Sequence, residues 1–190
     1  AVVVLAGGAL TAWQASALAG ATWIPVLAVL AWLARQGGGG IVAWRPTRPY
    51  SLTAVIAAGL ATIAGAMTLA WLAGDVSTPL QDMIHTPLDR VAVAVFALTV
   101  APLAEELFFR GYLYKAVRNT FGPWPAVFLV GLVFGLFHGL QYAGVPLALA
   151  AVTLMGLTTT WIRKATGAVL PCVAMHVAYN VAGVAVLFAE

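Results

Sequence analysis

Apolar residues run in long blocks along this chain, and the blocks are parted by short polar stretches. Several blocks have the length, about 17 to 25 residues, that carries a helix across a hydrocarbon core of about 30 Å. They predict spans at 52–73, near 124–141, near 146–162 and near 168–188, with one longer helix from about Val91 to Arg118 that stops at Phe121-Gly122-Pro123. The first block, residues 2–34, is too long for one comfortable span and holds polar or small residues at Gln14, Ala15, Ser16 and Gly20. Two spans are favoured there, the first cut short, against a single tilted helix kinked at Pro25. The chain starts at Ala1 inside an apolar run, so an N-terminal piece is expected to be missing. No basic segment and cleavage site mark a signal peptide. Residues 35–50, with Gly37 to Gly40, Pro46 and Pro49, read as a flexible connector, and 74–90 as a loop.

Composition excludes a soluble domain. Of the 190 residues 63% are hydrophobic and only 8% charged, and the mean hydropathy is +0.99. The fold class is therefore all-α, a polytopic transmembrane helical bundle of about six to seven spans forming a single membrane domain over 1–190. Alternating spans put Arg35, Arg45, Arg48, Lys115, Arg118, Arg163 and Lys164 on one side, with Asp75, Asp82, Asp89 and Glu190 on the other. The positive-inside rule makes the basic side cytoplasmic. It also explains the net charge of +3 without nucleic acid, since the basic residues are not gathered on a soluble face. The Ala-, Gly- and Trp-rich composition points to a bacterial plasma membrane. The single cysteine, Cys172, has no disulfide partner and reads as a small buried apolar residue.

Against this background Glu105-Glu106-Leu107-Phe108-Phe109-Arg110 stands out, because a carboxylate at membrane depth costs at least a few kcal/mol and faces a protein-lined cavity. Glu106 and Arg110, four apart, share a helix face and pair. Glu105 points about 100° away and is left to act as a general base. An intramembrane ion pair beside a solvated Glu is the structural alternative. Phe134-Gly135-Leu136-Phe137-His138 places a histidine beside a ridge of Gly131, Gly135 and Gly139, where a neighbouring helix approaches closely. A histidine capping a helix end is the bland reading. His176 and Asn180 stand one turn apart in the last span, either as site residues or as a structural interhelical hydrogen bond. Counted from the basic helix ends, Glu105 and Asn180 lie about 20 Å deep, His176 about 14 Å and His138 about 24 Å. All four fall in one slab near mid-membrane. His85 and the acidic loop read as a solvated connector.

Glu-Glu-x-x-x-Arg, Phe-x-x-x-His and His-x-x-x-Asn, in that order on successive spans, resemble the CPBP or Abi family of intramembrane proteases, the type II CAAX prenyl endopeptidases. The resemblance covers about 90–190 as a catalytic core and leaves 1–73 as additional N-terminal spans. It implies a glutamate-dependent intramembrane endopeptidase. Glu105 would activate a water with His138, His176 and Asn180 would stabilise the oxyanion, and Glu106 and Arg110 would position the site. No cofactor is implied. The rival is a zinc metalloprotease with Glu105, His138 and His176 as ligands, although no His-Glu-x-x-His string occurs. A non-catalytic membrane scaffold or immunity subunit is the reading from a different class. The expected partners are the lipid bilayer, a peptide or membrane-anchored protein substrate, prenylated or not, and an optional membrane partner subunit.

Overall fold

The computed structural model describes residues 11–35, 43–47, 49–74 and 81–189. Among these the chain forms six helices and no strand: α1 Ala12–Arg35, α2 Leu52–Ala73, α3 Pro87–Phe121, α4 Pro123–Phe137, α5 Pro146–Thr166 and α6 Leu170–Ala189. This is the all-α helical bundle expected from the apolar blocks. Three helices, α1, α2 and α3, are long and apolar enough to cross a membrane alone. In α1 the helix runs unbroken through Gln14, Ser16 and Gly20 with Pro25 inside it, so no junction between two spans falls there. Residues 1–10 lie outside the described residues, as do Arg48, Asp75 and Glu190.

Local chemistry sets the helix ends. Ser51 caps α2 by accepting from Ala54 N at 3.1 Å. Prolines open α3, α4 and α5 at the first turn, where a missing N–H costs nothing. Gly122, at φ 89°, ends α3 and starts α4; any side chain would be strained in that conformation.

Asp89 corrects the reading of 74–90 as a solvated connector. Its carboxylate is buried, and Oδ2 accepts from Thr86 N at 3.0 Å, Thr86 Oγ1 at 2.7 Å and His85 N at 3.3 Å. Oδ1 accepts from Trp13 N at 3.1 Å, across 76 positions of sequence. One carboxylate thus caps the N-termini of both α1 and α3, so these helices start at the same end of the bundle. At the other end the connector docks on the α5–α6 turn, with Thr47 N on Thr166 O at 3.1 Å and Val169 N on Ala43 O at 2.7 Å. Lys164 Nζ lies 4.0 Å from the Trp124 ring centroid there. The basic last turns of α1, α3 and α5 gather at that end.

In the middle of the bundle α5 packs against α4, α2 and α6, while α3 packs against α1, α4 and α6. The glycine ridge of α4 makes the tightest of these contacts. A Cβ on Gly131 would stand 2.6 Å from Leu157 Cδ2, one on Gly156 of α5 would stand 2.8 Å from Gly131 O, and one on Gly135 would overlap the Thr153 side chain. Gly139 takes no part, because α4 has ended by then. Thr62 and Thr158 join α2 to α5 by a 2.7 Å hydrogen bond. Large apolar side chains such as Ile24, Leu60, Trp71 and Leu136 point outward on α1, α2 and α4, the surface a bilayer covers.

Candidate active site

The site is built on an irregular stretch of α3. Two π-helical segments, Phe96–Val100 and Leu107–Leu113, flank the short α-helical piece Ala101–Glu106 that carries both carboxylates. In the first segment Ala101 N bonds Phe96 O, five residues back. The carbonyl of Ala97 would then look to residue 102, and Pro102 has no N–H to give. Asn180 of α6 takes it instead, donating from Nδ2 to Ala97 O at 2.7 Å. In the second segment Arg110 O accepts from Arg163 Nε of α5 at 2.9 Å. Each π segment hands one backbone carbonyl to a polar side chain of a neighbouring helix.

Between the segments lies a buried ion network. Arg110 and Glu106 are fully buried, and Arg110 Nη1 meets Glu106 Oε1 at 2.9 Å. The same oxygen accepts from His176 Nδ1 at 2.9 Å. Arg110 Nη2 donates to Gly156 O at 2.9 Å, a carbonyl that also accepts from Thr160 Oγ1 at 2.7 Å. The guanidinium lies 4.4 Å from the centroid of the Phe134 ring, a desolvated cation–π contact. These contacts hold Glu106 through Oε1, while its Oε2 has no hydrogen-bond partner among the described residues.

Glu105 stands apart from that pairing. Its Oε2 is buried with no hydrogen-bond partner among the described residues. It lies 3.7 Å from His138 Nε2 and 4.0 Å from His176 Nε2. These separations exceed a direct hydrogen bond and leave one water within reach of the carboxylate and either ring. His138 Nδ1 is 2.9 Å from Phe134 O, and a carbonyl only accepts, so Nδ1 carries the proton and Nε2 of the neutral ring is a lone pair facing Glu105. His138 sits just past the last residue of α4, with its backbone N–H on Gly135 O at 3.0 Å. That shift frees Phe134 O for the side chain. By the same argument His176 donates from Nδ1 to Glu106, and its Nε2 also faces Glu105.

The structure therefore brings together Glu105, Glu106, Arg110, His138 and His176 from three helices. Asn180 is one turn beyond His176 with an amide hydrogen on Ala97 O, which leaves its second amide hydrogen. Tyr179 packs against the core beside them. Sequence reasoning missed Arg163, read as a loop charge but buried on Arg110 O. It also missed the role of Phe134, whose carbonyl orients His138 and whose ring face holds Arg110. The Phe-x-x-x-His spacing carried that signal, since i to i+4 is the reach of a side chain to the carbonyl one turn back. Tyr142, in the turn after His138, stacks its ring on that histidine at 6.4 Å, and Trp23 of α1 closes against Phe108 and Phe137 at 6.2 Å each. Nothing in the local sequence marks these two.

The family model of the Rce1-like type II CAAX prenyl endopeptidases matches residues 87–182, just over half of the chain. The match opens at the first turn of α3 and closes two residues past Asn180, so it contains both π segments, His138, Arg163 and His176. No curated protein and no solved structure matches the chain. An integral membrane bundle with these side chains converging inside it, and a family match over that same stretch, place the chain in the Rce1-like type II CAAX prenyl endopeptidase family of proteases.

Proposed function

We propose that the chain is an intramembrane glutamic endopeptidase, in which Glu105 and His138 activate a water to attack a peptide carbonyl. The observation that carries this reading is the approach of Glu105 Oε2 to two imidazole Nε2 atoms within 4.0 Å. A water held there gives one proton toward Glu105 or the His138 lone pair, and its oxygen attacks as the proton leaves. The tetrahedral oxyanion then needs donors. Asn180 has one amide hydrogen beyond the bond to Ala97 O. His176 becomes a second donor when the proton taken from water is passed through Glu105 to its Nε2, 4.0 Å away, with Glu106 holding its Nδ1–H. Donors fixed in a water-poor site are the largest single contribution in many hydrolases. The proton taken from water passes to the leaving amine. Glu106 and Arg110 hold His176 and the α3 backbone in place.

The zinc alternative asks Glu105, His138 and His176 to act as ligands. Among the described residues no group of three or more His, Cys, Asp and Glu side chains is arranged to hold a metal ion, and this favours the metal-free reading; the bond from His176 Nδ1 to Glu106 is compatible with either. The substrate class proposed is a membrane-anchored peptide or protein, with a lipid-modified cysteine tail the form that the family description suggests. The setting proposed is a bacterial plasma membrane with the basic end cytoplasmic.

The test is cleavage of a panel of prenylated and unprenylated membrane-anchored peptides by the purified full chain. Glu105→Ala and His138→Ala should abolish turnover, and chelator treatment should leave it intact. Loss of activity on chelation with recovery on zinc would replace this reading by the metal one. Full activity in Glu105→Ala would end both.

A further inference from the structure

At the basic end of the bundle, about 15 Å along α3 from Glu105, the structure holds a concave feature. A cavity of about 220 Å³ opens there, lined by Lys115, Arg118 and Arg163 together with Tyr114, Asn119 and Thr47. Three of its lining side chains are cations and none is a carboxylate. The hydroxyl of Thr47 and the amide of Asn119 add neutral donors. Arg163 is buried and held by its Nε on Arg110 O at 2.9 Å, with its guanidinium 5.7 Å from the Tyr114 ring centroid. That side chain is a fixed wall of the cavity, while Lys115 and Arg118 stand nearer the rim and are half-buried and exposed.

We propose that this cavity binds a phosphate-bearing anion. The volume is below the roughly 300 Å³ at which drug-sized pockets begin and suits a compact polar group. Arginines and a lysine around one small cavity match phosphate, because a guanidinium fork grips two oxygens while an ammonium adds a point charge. Basic pockets between membrane helices at the headgroup level recognise anionic lipid heads, and the Lys164–Trp124 contact beside this one is of the interfacial kind. An anionic phospholipid and a soluble phosphate share the chemistry, and they are separable by experiment. The proposal is independent of the hydrolytic reading. Arg163 links the two places physically, since its anchor, Arg110 O, belongs to the π segment that holds Glu106 in register.

The experiment uses the purified full chain in mild detergent with equal amounts of phosphatidylglycerol and phosphatidylcholine, and reads retained lipid by native mass spectrometry. A parallel arm measures the thermal midpoint in millimolar inorganic phosphate without lipid. The comparison protein is Lys115→Gln with Arg118→Gln, two rim positions whose side chains are not core packing; its thermal midpoint without ligand verifies folding. Wild type should retain phosphatidylglycerol over phosphatidylcholine by at least about five-fold, the scale of one basic residue near a charged surface, and the double variant should lose that preference. Stabilisation of wild type by phosphate alone, absent in the double variant, also supports the site and identifies a soluble anion as sufficient. Equal retention of both lipids with no phosphate effect, or any preference that survives in the folded double variant, overturns the proposal and leaves these charges to serve helix C-termini and membrane orientation.

Discussion

At Glu106 one carboxylate oxygen accepts from both Arg110 and His176 at 2.9 Å, while next to it Glu105 Oε2 has no hydrogen-bond partner among the described residues. The two positions answer differently to substitution. Glu106→Ala leaves a buried arginine without its counter-charge and should destabilise the protein by about 3 kcal/mol or more, seen as a large drop in thermal midpoint together with lost activity. Glu105→Gln keeps the shape and removes the base. Its turnover should fall by at least about 100-fold while the thermal midpoint holds or rises, because an unpaired buried carboxylate has been relieved. Equal thermal losses in the two variants would contradict the division of labour. The spacing Glu-Glu-x-x-x-Arg revealed this pairing, since i to i+4 on a helix is geometry that sequence carries. The Phe-x-x-x-His spacing likewise carried the anchor of His138 on Phe134 O, whereas that of Asn180 was not legible, because Ala97 O is released by a π segment that the apolar pattern does not announce.

Helix α3 shows where pattern reading runs out at the scale of an element. Its apolar run predicted a long helix, and the ends were found to within a few residues, but the two π segments were not foreseen. Both depend on tertiary partners: Asn180 supports the first and Arg163 the second. Asn180→Asp replaces the donor to Ala97 O with an acceptor, and Pro102 prevents the backbone from recovering the bond by itself. This variant should lose both stability and turnover, and Asn180→Gln should not rescue either, since the longer arm displaces the amide. Melting curves and peptide cleavage on both variants decide it. The glycine ridge was legible and its partner was not. Gly135→Val drives a branched side chain into Thr153 and should cost about 1 to 3 kcal/mol, read as a lower thermal midpoint, whereas Gly139→Ala, outside the helix contact, should change it little.

For the molecule as a whole, tryptophans mark its position in the bilayer. Trp13 and Trp32 stand at opposite ends of α1, both exposed, and 19 residues of helix separate them by about 28 Å, close to the hydrocarbon thickness of about 30 Å. In single-tryptophan variants both should be quenched more strongly by lipids brominated near the headgroup than by lipids brominated at the chain terminus. The reverse order would mean that α1 does not span upright. The helix pattern from residue 52 onward was readable because lipid forces every apolar block into a helix; the direction of α1 relative to α3 was not, because it rests on one carboxylate. Asp89 takes its last hydrogen bond from Trp13 N only if α1 and α3 lie in the same sense. An α1 inserted upside down would bring its C-terminal carbonyls to that acid and repel it. The cap thus ties the sense of the first helix to that of the third: a chain with α1 reversed would keep Asp89 buried and lose the bond from Trp13 N.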